Sequence, residues 1–130
     1  MGTRSLTKII KDNKPLTTIY RQFDGYPECM GMEIATFLKG KKIVNGFGSN
    51  DGFNCNGMGC LAAQLIKELK DGIGNIYIYP PDAEDCWEDY IYTISDVGGN
   101  PWITCQEMYR DNDIIFSGTP EEFIEQYKED

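Results

Sequence analysis

The stretch from Met58 to Lys70 fits one conformation. Met58, Leu61, Ala62, Leu65, Ile66 and Leu69 recur at i, i+3, i+4, i+7, i+8 and i+11, which lines one whole face of an α-helix. Asp71-Gly72 ends it. A helix apolar along one face has to be buried against a second layer. The layer is supplied just downstream, where Ile76-Tyr77-Ile78-Tyr79 and Tyr90-Ile91-Tyr92-Thr93-Ile94 are apolar or aromatic on both faces. Strands of that kind are expected in the middle of a sheet, with helices on one side and a partner on the other.

The remaining elements follow from local chemistry. Residues 4–11 and 15–23 read as strands around the turn Asp12-Asn13-Lys14-Pro15. Glu28 to Lys39 reads as a helix with a Met30, Ile34, Ala35, Leu38 stripe, stopped by Gly40. Ile43 to Gly48 starts apolar and dissolves into a Gly/Asn-rich loop that runs to Gly57, the segment expected to be most mobile. Turns at Asp96 to Pro101 and at Asp111-Asn112 separate Trp102 to Met108 from Ile114-Ile115-Phe116, spacings that suit an antiparallel meander. Thr119, Pro120 and Glu122 predict a capping box opening a last helix, with Phe123, Ile124 and Tyr127 as its docking stripe. The expected fold is α+β, one domain over residues 1–130. An antiparallel sheet, made of the N-terminal hairpin and the C-terminal meander, packs with about three helices.

Composition excludes several functions. No apolar run approaches the ~20 residues of a membrane span, and Met1 to Leu6 lacks the apolar core of a secretory signal, so a soluble, cytoplasmic chain is expected. The five cysteines are irregularly spaced and the chain has no histidine, which removes His-dependent triads and favours free thiols over a metal site. No metal and no cofactor are expected. Residues 1–50 carry eight Lys/Arg against four Asp/Glu; residues 51–130 carry four against seventeen. Duplex DNA needs a broad basic face that the second half cannot offer, whereas a small anion needs only a few placed cations.

Groups able to hold such an anion concentrate in Tyr20 to Pro27. Arg21 presents a fork of donors, Gln22 an amide, Asp24 a carboxylate, and Phe23 and Tyr26 flat rings. Gly25 is read as the residue that permits a positive φ in the turn, and Pro27 as a helix opener. The plainer alternative is a strand-to-helix corner in which Arg21 and Asp24 pair. Asn56-Gly57-Met58-Gly59 opens the strong helix and could offer backbone N–H groups to an anion, or serve only as a cap and close-packing device. Gly57-x-Gly59-x-x-Ala62 matches a loose dinucleotide fingerprint, but with no strand leading in and no βαβ unit following. Cys60, near that helix start, reads as a small buried residue rather than a nucleophile. The acidic loop 82–89 reads as solvated. Trp87 and Trp102 are either core or interface rings or platforms for a base, and Arg110 pairs either with neighbouring acid or with a pyrophosphate.

Three blocks also carry a family resemblance. Tyr20-Arg21-Gln22-Phe23-Asp24-Gly25-Tyr26-Pro27-Glu28, Val44-Asn45-Gly46, and Asn56-Gly57-Met58-Gly59-Cys60-Leu61-Ala62-Ala63-Gln64 resemble the phage-encoded Thoeris anti-defence proteins of the first type. The resemblance implies a non-enzymatic sponge in the host cytoplasm during infection. Such proteins bind the cyclised ADP-ribose signal (glycocyclic ADP-ribose) of bacterial TIR-domain proteins and do not cleave it. It further implies a homodimer or higher homo-oligomer with pockets at subunit junctions, and for some members a separate site for cyclic oligonucleotides. Two other functions fit the same residues: a phosphodiesterase or hydrolase of a cyclic nucleotide signal that uses Asp24 and a second carboxylate, and an acidic protein-interaction module.

Overall fold

Asp12 and Asn13 both hold left-handed backbone, φ 53° and 64°, the geometry of a tight hairpin turn. They fold β1 (Ser5–Lys11) back onto β2 (Lys14–Arg21) in antiparallel register, with Ser5 opposite Arg21 at the far end. The computed structural model describes residues 2–46, 53–84, 86–109 and 112–128. Among them β5 (Ile76–Tyr79), β6 (Tyr90–Val97), β7 (Asn100–Glu107) and β8 (Asp113–Gly118) complete a six-stranded sheet of order β5-β2-β1-β6-β7-β8. The hairpin and the β6-β7-β8 meander are both present, and the fold is α+β as expected.

One pair departs from the antiparallel pattern: β1 and β6 run parallel. The cause is the link between β5 and β6, which travels along the back of the sheet instead of turning at its end. Pro81 O accepts from Thr18 Oγ1 at 2.9 Å, Ala83 O from Lys8 Nζ at 2.5 Å, and Arg4 O from the Asp89 N–H at 2.8 Å. The link therefore enters β6 at the end of the sheet where β1 begins, and β6 must run alongside β1. These bonds also correct the expectation of a freely solvated acidic loop. Its backbone carbonyls hold it to the sheet, and two of its carboxylates are bonded as well: Asp89 Oδ2 accepts from the Arg4 N–H at 3.2 Å and Glu88 Oε1 from the Cys86 N–H at 2.8 Å; Asp85 lies outside the described residues. A second correction concerns β5, expected inside the sheet. It is an edge strand, and Tyr77 and Ile78 stay 47% and 57% exposed.

The other face of the sheet carries Ile9, Ile19, Ile76, Tyr92, Ile94, Ile103 and Phe116, all buried. Onto it pack α1 (Met32–Leu38), α2 (Gly57–Leu69) and α3 (Pro120–Tyr127) through Ile34, Leu38, Leu61, Leu65 and Phe123, each fully buried. Each such side chain contributes about 1.5–3 kcal/mol of burial. The helix expected from Glu28 begins as a wide π turn, Pro27–Gly31, before regular α-helix starts at Met32. That turn brings Gly31 against the Phe123 and Tyr92 rings, where a Cβ would have no room. Gly40 stops the helix at φ 79°.

A short parallel pair, β3 (Lys42–Val44) with β4 (Asn54–Asn56), has no counterpart in the sequence reading. Its strands are three residues long, too short to show alternation, and β4 runs directly into α2 where a loop was expected. The loop expected to be mobile lies largely outside the described residues, at 47–52. No helix among the described residues is long and apolar enough to cross a membrane.

The predicted capping box is present with both bonds. The Glu122 N–H donates to Thr119 Oγ1 at 3.1 Å, and the Thr119 N–H donates to Glu122 Oε1 at 2.9 Å. Bonds from the Thr119 backbone, then its hydroxyl, hold the Glu122 carboxyl below its usual range. A carboxyl lowered on folding stabilises the fold above its unfolded value of about 4.3, and the contribution disappears as pH falls through the lower folded value. Thr119→Ala is expected to cost about 1 kcal/mol at pH 7. The pH dependence belongs to the carboxylate: in urea titrations the gap between the parent and Glu122→Gln should narrow from pH 6 to pH 3.

Candidate functional site

The Tyr20–Pro27 corner is fixed from four directions. The Gly25 N–H donates to Thr3 O at 2.9 Å, and Gly25 O accepts from the buried Tyr92 hydroxyl at 2.6 Å. Asp24 O accepts from the Met30 N–H at 3.1 Å, and Phe23 O accepts from Arg21 Nε at 2.8 Å. The left-handed residue is Asp24, at φ 59°, not Gly25. Gly25 is required for another reason: a Cβ there would lie 2.8 Å from Ser5 Cβ and 2.9 Å from Thr3 O. Burial raises the Tyr92 hydroxyl pKa, so this group stays a neutral donor to the corner.

Arg21 does not pair with Asp24. Its Nη1 donates to Glu33 Oε2 at 2.8 Å and to Met30 Sδ at 3.2 Å, and its side chain is 12% exposed. Nη2 is the arm left without a protein partner among the described residues. Glu33 in turn lines a groove of about 480 Å³ between α1 and the end of α2, shared with Glu28, Glu68, Met32 and Phe37. Three carboxylates make that groove unsuited to an anion.

The surface on the other side of the corner is different. Residues 2–4 lie beside it, with Gly2 packed on the Phe23 ring and Arg4 O bonded to the Asp89 N–H. Asp89 O accepts from the Met108 N–H at 2.8 Å, which brings the end of β7 to the same place. Three rings stand out into solvent from this end of the sheet: Phe23 at 60% exposed, Trp87 at 84% and Tyr109 at 57%. Trp87 holds φ 64°, a left-handed conformation that bulky residues rarely adopt and that costs on the order of 1 kcal/mol. Trp87, Glu88, Met108 and Asn112 line a recess of about 470 Å³, within the range of roughly 300–1,000 Å³ of small-molecule sites. Gln22 and Asp24 are exposed and Tyr26 half-buried at the corner itself.

Asn56, Gly57, Met58 and Gly59 lie at the opposite end of β1. Asn56 Oδ1 accepts from the Gly46 N–H at 2.8 Å and gives α2 no side-chain cap. Gly57 holds φ 79°, and no atom comes within 4 Å of where a Cβ would stand on it or on Gly59. Met58 is buried. Gly57 and Met58 line a cavity of about 320 Å³ with Lys11, Asp12, Ser95 and Asp96. Trp102 lies toward this end as well, opposite Ser95, and its indole N–H donates to Ser117 Oγ at 2.9 Å. Arg110 lies outside the described residues. The structure thus gathers Arg21, Gln22, Phe23, Asp24, Gly25, Tyr26 and Trp87 at one end and leaves Asn56 to Gly59 and Trp102 at the other.

Sequence reasoning missed two residues here. Tyr109 is a ring at a strand end, next to Arg110, and that adjacency was the available signal. Glu33 sits on the polar side of its helix, and only the fold shows that it reaches back to Arg21. Among the thiols, burial pushes Cys105 up to about 12 and raises Cys55 above its ordinary value. Comparison with models of protein families, with curated proteins and with solved structures found no match.

Proposed function

We propose that this protein binds a cyclised ADP-ribose-type signal and holds it uncleaved in the cytoplasm of an infected host cell. The observation that carries the reading is that the Arg21 guanidinium and three solvent-exposed rings, Phe23, Trp87 and Tyr109, belong to one end of the sheet, the guanidinium on the Glu33 side of the corner and the rings on the other. A diphosphate asks for the first and a purine for the second. A strained backbone at Trp87 that holds its ring out in solvent supports a binding role over a packing one. The chain's lack of histidine, which leaves its thiols without the commonest activating base, supports capture without turnover.

The second donor set, Asn56 to Gly59, is at the far end of the same β1 strand. A ligand that touches both sets is bound between two copies, in keeping with the subunit-junction pocket that the resemblance implies. The test is recovery: protein is mixed with excess glycocyclic ADP-ribose, freed of unbound ligand, then denatured by heat. Intact ligand in the supernatant, in stoichiometric amount, is the expected result. Recovery of linear ADP-ribose instead would make the protein a hydrolase, and recovery of nothing would remove the nucleotide reading.

A further inference from the structure

The helical segment from Pro27 to Leu38 is apolar on two sides. Met30, Ile34, Ala35 and Leu38 are fully buried in the core and account for one of them. Met32 and Phe37 form the other and are only half-buried. With Leu69 from the end of α2 they line the groove of about 480 Å³. Its rim is acidic: Glu28, Glu33 and Glu68 line the same groove, and no Lys or Arg among the described residues does. Glu33 shares its charge with Arg21, whereas Glu28 and Glu68 have no ion-pair partner among the described residues. An apolar floor between uncompensated carboxylates defines the chemistry of what would cover it.

We propose that this groove docks a basic amphipathic helix of another protein. The helix lays its apolar face on Met32, Phe37 and Leu69 and sets Lys or Arg side chains against Glu28 and Glu68. Charge selects the partner: the rim repels nucleic acid, an anionic membrane surface and a second copy of this chain, whose net charge is −9. Shape selects the helix. Both walls of the groove are helices whose backbone groups bond internally, so an extended segment finds no ladder partners there. A helix brings its backbone bonds with it. The seven residues of α1 span about 10 Å, so the contact takes about two turns of the partner. The flexible thioether of Met32 adapts to apolar anchors of different shape. At Phe37 the groove takes apolar contact and no further cation, because Lys41 Nζ already stands 4.7 Å from the centre of that ring. The groove lies on the Glu33 side of the Arg21 corner, away from the exposed rings, and the inference is tested without nucleotide.

The probe is a fluorescent peptide of leucine and lysine alone, about four turns long, with every leucine on one helical face. Its anisotropy with the full chain is compared with that of a scrambled peptide, which keeps the charge and loses the apolar face. Saturable binding of the first, about tenfold or more tighter than the second, is the expected result. Thr36→Lys and Glu68→Lys put a cation at exposed positions on the groove and should each weaken binding by about tenfold, with unchanged circular dichroism. Asp82→Lys makes the same change of charge as Glu68→Lys at an exposed position in the link behind the sheet. It should weaken binding less than about twofold, because salt screens charges that far apart. Cys29 lines the groove and gives a readout on wild type. Saturating peptide should slow its alkylation, followed by mass spectrometry, and leave the rate at Cys86 in the link unchanged. Equal binding of the two peptides, binding of neither, an equal loss in Asp82→Lys, or a Cys29 that the peptide does not protect would each overturn the proposal. Full displacement of the peptide by an equal concentration of spermine would make the groove a site for aliphatic amines and overturn it too.

Discussion

Gly25→Ala is expected to lower the unfolding free energy by about 3 kcal/mol, the sum of an overpacking cost and a lost buried hydrogen bond. The added methyl would stand 2.8 Å from Ser5 Cβ, 2.9 Å from Thr3 O and 3.0 Å from Arg4 C. Two of those neighbours are backbone, and β1 begins there, so nothing can rotate aside. The corner itself has to move away from residues 3–5. Movement breaks the bond from the Gly25 N–H to Thr3 O and takes Gly25 O away from the Tyr92 hydroxyl, which has no water to turn to at 0% exposure. Thermal unfolding should show Tm lower by about 10 °C. Tyr92→Phe, which deletes the hydroxyl alone, should cost about 1 kcal/mol, and the double variant should cost less than the sum because both changes break one shared bond. Gly57 gives the contrast. It holds φ 79° in open space, so Gly57→Ala carries only a backbone penalty of about 1 kcal/mol. A Gly25→Ala protein within 0.5 kcal/mol of the parent, a bound on the order of the scatter of surface substitutions, would mean that residues 2–4 do not hold the corner in solution.

Gly25 also marks the boundary of what the sequence makes legible. A glycine between Asp24 and Tyr26 reads as a turn residue, and the turn is there. Which residue takes the left-handed backbone, and that Gly25 is chosen for its missing Cβ, depends on β1 passing behind it, a contact with no local signature. The same division runs through the fold. α2 and the α3 capping box are legible because periodicity and caps are properties of a dozen neighbouring residues. The parallel β1/β6 pair is not, because it follows from backbone carbonyls of the 80–89 link bonding to Thr18 and Lys8, and every residue type has those carbonyls. β5 misled for a related reason: Ile-Tyr alternation describes a strand with two apolar faces whether those faces are covered by its own chain or by another. In the candidate site, the seven-residue span from Tyr20 to Tyr26 was legible because its groups are neighbours in the chain. Its distance from Asn56 to Gly59 depends on strand direction, which no local pattern in either segment carries.

Arg21→Ala is expected to weaken capture of glycocyclic ADP-ribose by about 10- to 150-fold, the loss of one charge-assisted bond worth about 1.5–3 kcal/mol. The difficulty with this substitution is that Arg21 has a structural partner, since Nη1 lies 2.8 Å from Glu33 Oε2. Glu33 is 47% exposed, so the ion pair itself contributes at most about 1 kcal/mol and the variant is expected to fold, but the largely buried Arg21 side chain also bonds Phe23 O, and lost binding could reflect a displaced corner or α1. Glu33→Gln separates the two roles. It removes the charge that holds Nη1 and leaves the guanidinium in place, with Met30 Sδ and Phe23 O still bonded to it. If the fork serves the ligand, Glu33→Gln binds at least as tightly as the parent by calorimetry, because a phosphate no longer competes with a carboxylate for the same arm. Arg21→Lys should recover only part of the Arg21→Ala loss, because an ammonium restores the charge without the planar pair of donors. Equal losses in Arg21→Ala and Glu33→Gln would show the opposite: the pair braces α1 against the end of β2, and the anion is held by other groups.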